Sequence, residues 1–402
     1  MVQSLLKILH VAYIYPPKLR VADGITNVVY TVTKELAKRG HEVTVYTSNV
    51  LDLHREVTFR ASNLVVNGVD VHYFRSSWRY KTFIATPSII PMLSKNLSKF
   101  DVIHLHDCRS FQGIFAYLFA KAKKVPCIFQ PHGSYLSSLS DSPSKILAKT
   151  ALDKLVSGEI IQNASKVIAL GQEEAEQYRC VGVPLKKVAI VPNGIDLTEY
   201  SDLPPQGSFK KKFGLDKNEK IVLYLGRIHK IKGVDILCRA FAHILHKLDD
   251  VRLVIVGPND GYLDEIEALI KVLRIESKVL ISGPLYGLTK LEAYIDANVY
   301  VLPSRYETFP MTVLEAYACG KPVVASRVGE LKDLVINEIT GLLFEPGNIG
   351  QLAENILHLL IDSDKAEKMG LRGKEFAAKN FAIERVIANL ERVYKEVAER
   401  RC

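Results

Sequence analysis

Two glutamates, Glu307 and Glu315, stand with seven uncharged residues between them in "PSRYETFPMTVLEAYACGKPVVAS" (303–326). The preceding "ANVYVLPS" has the pattern of a strand, and "PMTVLEAYAC" that of a helix with Pro310 near its first position and Gly320 ending it. Free N–H groups at such a helix start form an anion site. Glu315, flanked by Val313, Leu314, Ala316, Tyr317 and Ala318, lies in a helix apolar enough to be mostly buried. A buried carboxylate needs partners: either the two donors of a vicinal diol such as a ribose, or a neighbouring basic side chain. Glu307, just ahead of the helix, is placed either to accept hydrogen bonds from sugar hydroxyls or to sit solvated in a loop.

A second stretch, "LYLGRIHKIKGVDILCRAF" (223–241), is a strand, a connection and a helix, with Arg227 and Lys232 five positions apart on the connection. Arginine offers a rigid fork for phosphate oxygens and lysine a point charge. A diphosphate leaving group calls for both, because charge builds on it as its bond to the sugar breaks. Each charge-assisted hydrogen bond contributes about 1.5–3 kcal/mol, so two replace part of a metal's work. The plain alternative is a pair of solvated loop cations. Gly24 stands just before a helix in the first strand-to-helix connection, where a glycine lets backbone approach a phosphate. That connection lacks G-x-G-x-x-G, so it carries no dinucleotide fingerprint. "HLHDCRSFQ" and "QPHGSYL" set His104, His106, Asp107 and His132 at or just after strand ends. Singly, each histidine has a structural explanation; together with an anion site they become candidates for contacting sugar hydroxyls or an acceptor. Asp362 and Asp364 have the D-x-D spacing of a divalent-ion site, but they fall between two helical segments, where an aspartate is ordinarily an N-cap. No metal is expected there.

These residues need scaffolds, and short runs rich in Val and Ile alternate with longer amphipathic segments almost from end to end. That alternation predicts parallel sheets covered on both faces. Two such series occur, joined across the Pro-, Gly- and Asp-rich stretch 193–220. The expectation is α/β, with two doubly wound domains: 1–198, completed by 382–402, and 199–381. In open parallel sheets ligands bind beyond the carboxyl ends of the strands, which is where the residues above fall.

Composition agrees with a globular chain of this size. Of 402 residues, 48% are hydrophobic and 24% charged, enough apolar material for a core in each domain. The formal charge of +9 is scattered in short runs such as "KAKK" and "FKKK". Nucleic acid calls for a denser basic face with aromatic platforms, so none is expected as a partner. An anionic small molecule, an anionic membrane surface or a solubilising exterior all fit. Six isolated cysteines with no zinc-type spacing predict a reducing, cytoplasmic setting and no structural metal. The apolar start reads as a first buried strand.

Taken together, the sequence resembles the retaining glycosyltransferases of family 4, which adopt the GT-B fold. The resemblance runs over essentially the whole chain and is most specific in the Glu-x7-Glu stretch followed by "LEAYACGKPVVAS", with support from "GRIHKIKG", "VPNGID", "QPHGS" and "DSDKAEKMGLRGKEF". Many members read "EGFG" where this chain has "ETFP". The resemblance implies two Rossmann-like domains facing across a cleft, with the final helix crossing back to the first. It implies that Arg227 and Lys232 hold the diphosphate of a nucleotide-sugar, and that Glu315 holds its ribose. Glu307, with the backbone of Thr308, Phe309, Pro310 and Met311, would grip the donor sugar, and His132 would approach that sugar from the other domain. Gly24 would lie near the phosphates, Gly283 and Leu285 near the base, and His106 and Asp107 on the acceptor side. The activity implied is metal-independent, retaining transfer of a hexose-type sugar from a UDP- or GDP-sugar, needing no cofactor.

The stretch "SPSKILAKTALDKLVSGEII" (142–161) can form a basic amphipathic helix, either packed on its own sheet or lying on an anionic membrane. The membrane alternative would bring peripheral association with the inner face of the membrane and a glycan or lipid-linked acceptor in cell-surface glycan biosynthesis. Two rival functions share the architecture. A sugar-nucleotide epimerase would need no acceptor, and a non-catalytic nucleotide-sugar-binding protein would show no turnover.

Overall fold

A computed structural model describes residues 5–16, 24–50, 58–59, 62–80, 83–107, 109–133 and 157–399. The chain divides into two compact units, residues 1–194 with 383–402, and residues 195–382. Most of the basic amphipathic stretch 142–161, and with it the membrane-helix reading, lies outside the described residues. Among the described residues no helix is long and apolar enough to cross a membrane.

The first unit is built on strands β1 (Lys7–Val11), β2 (Glu42–Ser48), β3 (Asn63–Val66), β4 (Val69–Phe74), β5 (Trp78–Tyr80), β6 (Phe83–Ala85), β7 (Val102–His106), β8 (Cys127–Gln130), β9 (Lys166–Ala169) and β10 (Val188–Ile190). Eight of them form one sheet in the order β10-β9-β8-β7-β1-β2-β4-β3, and β5 pairs with β6 as a small ribbon. Every residue of β7, β8 and β9 is buried, the pattern of central parallel strands covered on both faces. The all-parallel expectation fails at β3, which runs antiparallel to β4. The reason is local: Asn67 and Gly68 both take positive φ (50° and 81°), the turn that reverses a chain in two residues. The final helix, Ile383–Glu399, belongs to this unit. Its stripe of Val386, Ile387, Leu390, Tyr394 and Val397 is buried, while Val393 is only partly so. Glu391 ties it down by an ion pair to Arg39 (3.3 Å) and a hydrogen bond to His41 Nε2 (3.1 Å).

The second unit contains β11 (Lys220–Leu225), β12 (Val251–Val256), β13 (Val279–Gly283), β14 (Val299–Leu302), β15 (Val323–Ser326) and β16 (Gly341–Phe344). All pair in parallel, in the order β13-β12-β11-β14-β15-β16. This is the doubly wound 3-2-1-4-5-6 arrangement, in which the chain winds outward one way from β11 and then returns to build the other half from β14. The two connections that leave β11 and β14 therefore diverge to opposite sides of the sheet and leave a crevice between them. Residues 226–233 and 303–310 lie on those connections.

Candidate active site

Lys232 and Glu307, placed 75 positions apart, meet at the crevice. Lys232 Nζ lies 2.5 Å from Glu307 Oε1, which also accepts from Ser304 Oγ at 2.7 Å. Their side chains are 17% and 6% exposed, so the pair is largely withdrawn from water. Two close backbone approaches hold it. Gly233, at φ 70°, sits where a Cβ would lie 2.0 Å from the Pro303 carbonyl oxygen. Gly329, at φ 50°, would place one 1.7 Å from the carbonyl oxygen of Glu307. Any side chain at either position drives the connections apart, and only glycine takes that backbone without strain. The Arg305 N–H donates to the Ile231 carbonyl at 2.7 Å, fastening one connection to the other.

Glu315 takes the basic-partner alternative that its sequence context left open. Lys290 Nζ donates to its Oε1 at 2.8 Å, and Tyr294 OH to its Oε2 at 3.0 Å. Burial pulls the Lys290 ammonium down in pKa, but the carboxylate beside it outweighs that and holds it above the ordinary value. A ribose diol would have to join or displace these donors. Pro310 caps the Met311–Ala318 helix, one position earlier than the expected first turn, and Gly320 follows its end at φ 69°. Phe309 is buried edge-on to Phe381 (5.5 Å), whereas Thr308 and Met311 are half-buried at the helix entrance.

Arg227 is half exposed and its guanidinium contacts Asp260 Oδ2 at 2.5 Å. Tyr224 OH donates to the Arg227 carbonyl at 2.7 Å, pinning the start of the same connection. Gly283 ends β13 at φ 72°, its carbonyl accepting from the Gly257 N–H, and Leu285 follows partly exposed. A cavity of about 370 Å³ lined by Asp235, Arg239, Arg305 and Pro346, among others, contains none of these residues. Arg305 there is held by both carboxylate oxygens of Asp235 (2.9 and 2.7 Å). Asp362 is an N-cap, accepting from the Lys365 N–H at 2.9 Å.

In the first unit, Gly24 opens the Gly24–Lys38 helix, and among the described residues no atom outside its chain neighbours and the helix backbone lies within 4 Å of where a Cβ would stand. His132 and Asp107 both adopt positive φ (53° and 73°), uncommon for residues other than glycine. His106 corrects the acceptor-side expectation. It is fully buried, and its two ring nitrogens are engaged by His10 Nδ1 (2.8 Å) and His132 Nε2 (3.0 Å), so none of its atoms is offered to an acceptor. The reason lies in β7 itself, whose side chains are buried on both faces.

Sequence reasoning missed Lys290, Tyr294, Ser304, Asp260, His10 and Tyr394. The i,i+4 spacing of Lys290 and Tyr294 on one helix face was a usable signal. Asp260 and Tyr394 had none, because their partners are distant in sequence.

Comparison with known proteins bears on the family and the fold. Residues 22–199 match the family described as Glycosyltransferase Family 4, and residues 206–376 match Glycosyl transferases group 1. The D-inositol 3-phosphate glycosyltransferase 1 of Catenulispora acidiphila is 31% identical over 312 residues, 75% of this chain and 73% of the relative. The N-acetyl-alpha-D-glucosaminyl L-malate synthase of Bacillus anthracis is 28% identical over 371 residues, covering 90% and 91%. Among solved structures, the sucrose-phosphate synthase of Thermosynechococcus elongatus superposes with a TM-score of 0.77 at 23% identity, over 97% of this chain and 98% of that one. HepE of Anabaena, in complex with UDP and glucose, gives 0.76 at 19% identity, over 97% and 99%. The chain thus belongs to the family 4, group 1 glycosyltransferases, and its two Rossmann-like units are those of the GT-B fold.

Proposed function

We propose that the enzyme moves a hexose-type sugar from a UDP- or GDP-sugar to a glycan or lipid-linked acceptor, retaining the anomeric configuration and without a divalent metal. The observation that carries this reading is the Lys232–Glu307 contact at the switch point between β11 and β14. It sets a largely buried cation, and a carboxylate able to accept from sugar hydroxyls, at the crevice where α/β sheets bind nucleotides. Arg227, Lys232 and the N–H groups opening the Met311–Ala318 helix meet the diphosphate. Before a donor binds, Asp260 and Glu307 hold the two cations in place; phosphate oxygens then compete for them.

As the bond between C1 and the phosphate oxygen breaks, negative charge grows on the diphosphate and these fixed donors stabilise it. The acceptor hydroxyl forms the new C1–O bond on the same face, and its proton passes to the departing phosphate oxygen. We assign His132 the role of hydrogen-bonding the transferred sugar, as the family resemblance implies. Gly24 is assigned to the phosphates, Gly283 and Leu285 to the base, Asp107 to the acceptor. The names of two relatives favour a second reading of the acceptor, a small anionic polyol or hydroxy acid.

Incubation with UDP-, GDP- and ADP-sugars, with and without glycan, lipid-linked and small acidic acceptors, tests the proposal. Nucleotide release that depends on acceptor and survives EDTA is the expected result. Release that needs no acceptor would point to epimerisation, and no release from any donor would leave only binding. Glu315→Gln keeps an oxygen for Tyr294 but removes the charge facing Lys290. It is expected to raise KM for the donor about 10-fold, at about 1.4 kcal/mol per factor of ten, with a smaller change in kcat. An unchanged KM would remove Glu315 from the nucleotide site.

A further inference from the structure

Beneath His132 the first unit buries a file of aromatic rings that the transfer reaction as described does not use. His10 and His104 are direct neighbours in the β1–β7 register, and His106 lies two residues further along the same face of β7. His10, His104 and His106 are completely buried. The rings of His10 and His106 stack at 5.1 Å, and those of His106 and His132 at 5.2 Å. Tyr394, from the final helix, closes the far end, its hydroxyl 2.7 Å from His104 Nδ1 and 3.5 Å from His10 Nε2.

We propose that this file is a hydrogen-bonded chain that locks His132 in one ring tautomer, with its proton on Nδ1, and that His106, His10 and Tyr394 are positioning residues for the transfer. The proposal rests on the reading above that His132 touches the sugar. A neutral imidazole has one N–H and one lone pair. If His106 donates from Nδ1 to His132, its Nε2 must accept from His10, so the whole chain runs in one sense. His104 Nε2 decides which sense: it is buried, makes no hydrogen bond within 3.5 Å among the described residues, and is faced by the side-chain amide of Gln130, whose NH₂ can turn toward a lone pair. When Tyr394 donates toward His10 and accepts from His104 Nδ1–H, the orphan is a bare lone pair. In the reverse sense it is a buried, unbonded N–H, the rarer and costlier defect. The favoured sense makes His132 Nε2 an acceptor and leaves Nδ1–H to donate to a hydroxyl or phosphate oxygen.

The backbone is fixed as firmly as the ring. Glu174, itself buried, accepts from the N–H of Gly133 at 2.8 Å and of Leu170 at 2.6 Å, which holds His132 at its positive φ. The three buried histidines also stand close enough to share a cation. The His10–His106 spacing of 2.8 Å is a hydrogen-bond length, however, shorter than the roughly 3.3 Å between two nitrogens on one tetrahedral zinc with bonds near 2.05 Å.

Nitrogen-15 NMR of the full-length protein labelled at histidine tests this directly. The expected His132 signals are those of a neutral ring protonated on Nδ1. In His106→Phe the ring should relax to the mixture seen in free histidine, with kcat lower on the order of 10-fold and donor KM little changed. His106→Gln should recover part of both. Tyr394→Phe removes a single oxygen and should shift the His132 signals in the same direction even if His106→Phe folds poorly. A wild-type His132 protonated on Nε2, or His132 signals indifferent to Tyr394→Phe, would overturn the proposal. So would stoichiometric uptake of added Zn²⁺ with loss of the His10, His104 and His106 signals. An Nδ1-protonated ring in a protein with no transferase activity would instead refute the reading of function and leave the chain standing.

Discussion

Lys232→Ala is expected to lower kcat on the nucleotide-sugar about 10²–10³-fold, the range found when one donor to a developing oxyanion is lost. Donor KM should change less, because the charge that Lys232 meets is largest in the transition state. The structure adds a complication. Lys232 is the ion-pair partner of Glu307, and removing it leaves a buried carboxylate supported, among the described residues, by the Ser304 hydroxyl. Breaking a buried pair costs about 3–5 kcal/mol of stability, enough to mimic a loss of activity. The double variant Lys232→Ala, Glu307→Gln, measured against Glu307→Gln alone as its parent, separates the two effects. A neutral amide in place of the carboxylate removes the orphaned charge, so stability should return toward that of the parent while activity stays low. Recovery of activity to within about ten-fold of the parent in the double variant would show that Lys232 serves folding rather than transfer.

The second large effect is acid lability of the first unit. Burial pushes the pKa of His10 down to about 3 and those of His104 and His106 well below the ordinary value. The rings face one another, Tyr394, Gln130 and His132, whose own pKa burial lowers to about 3 and which therefore acts in the same sense. In the unfolded chain each takes up a proton near pH 6.5, whereas the folded unit refuses it until far lower pH. The unfolded state therefore binds more protons throughout this window, and stability falls as pH falls below about 6.5. Each histidine contributes about 1.4 kcal/mol per pH unit, and the three together about 4 kcal/mol per unit. Glu174, raised by burial, works in the opposite sense, but through a single proton. Against a total of about 5–15 kcal/mol, the first unit should unfold near pH 5 while intact at pH 7.5. Denaturant titrations monitored at pH 7.5, 6.5, 5.5 and 5.0 measure this, and a midpoint that stays constant from 7.5 to 5.0 would contradict it.

Much of this was legible before any coordinates. The Val- and Ile-rich runs each became a strand, because a parallel strand buried on both faces has almost no choice but β-branched and aliphatic side chains. Arg227, Lys232 and Glu307 could be picked out as residues following strand ends, since that is a property of chain order. Asn67–Gly68 is a two-residue turn signal that the reading of the sequence passed over, and the antiparallel β3 follows from it. The stripe on the last helix announced that it must be covered, without saying by what.

Partners and exposure were another matter. Glu315 was bound to need donors, but only the fold supplied Lys290 and Tyr294 rather than another pair. His106 looked like an acceptor contact from its place after a strand, and packing on both faces of β7 buried it instead. Hydrophobic periodicity and strand order are local, additive signals, so the two doubly wound sheets and the residue types at their carboxyl ends could be read from the order of residues. Which charges meet and which imidazoles lose water emerged from three-dimensional packing. Those outcomes depend on contacts between residues such as Lys232 and Glu307, or His104 and Tyr394, that lie tens to hundreds of positions apart.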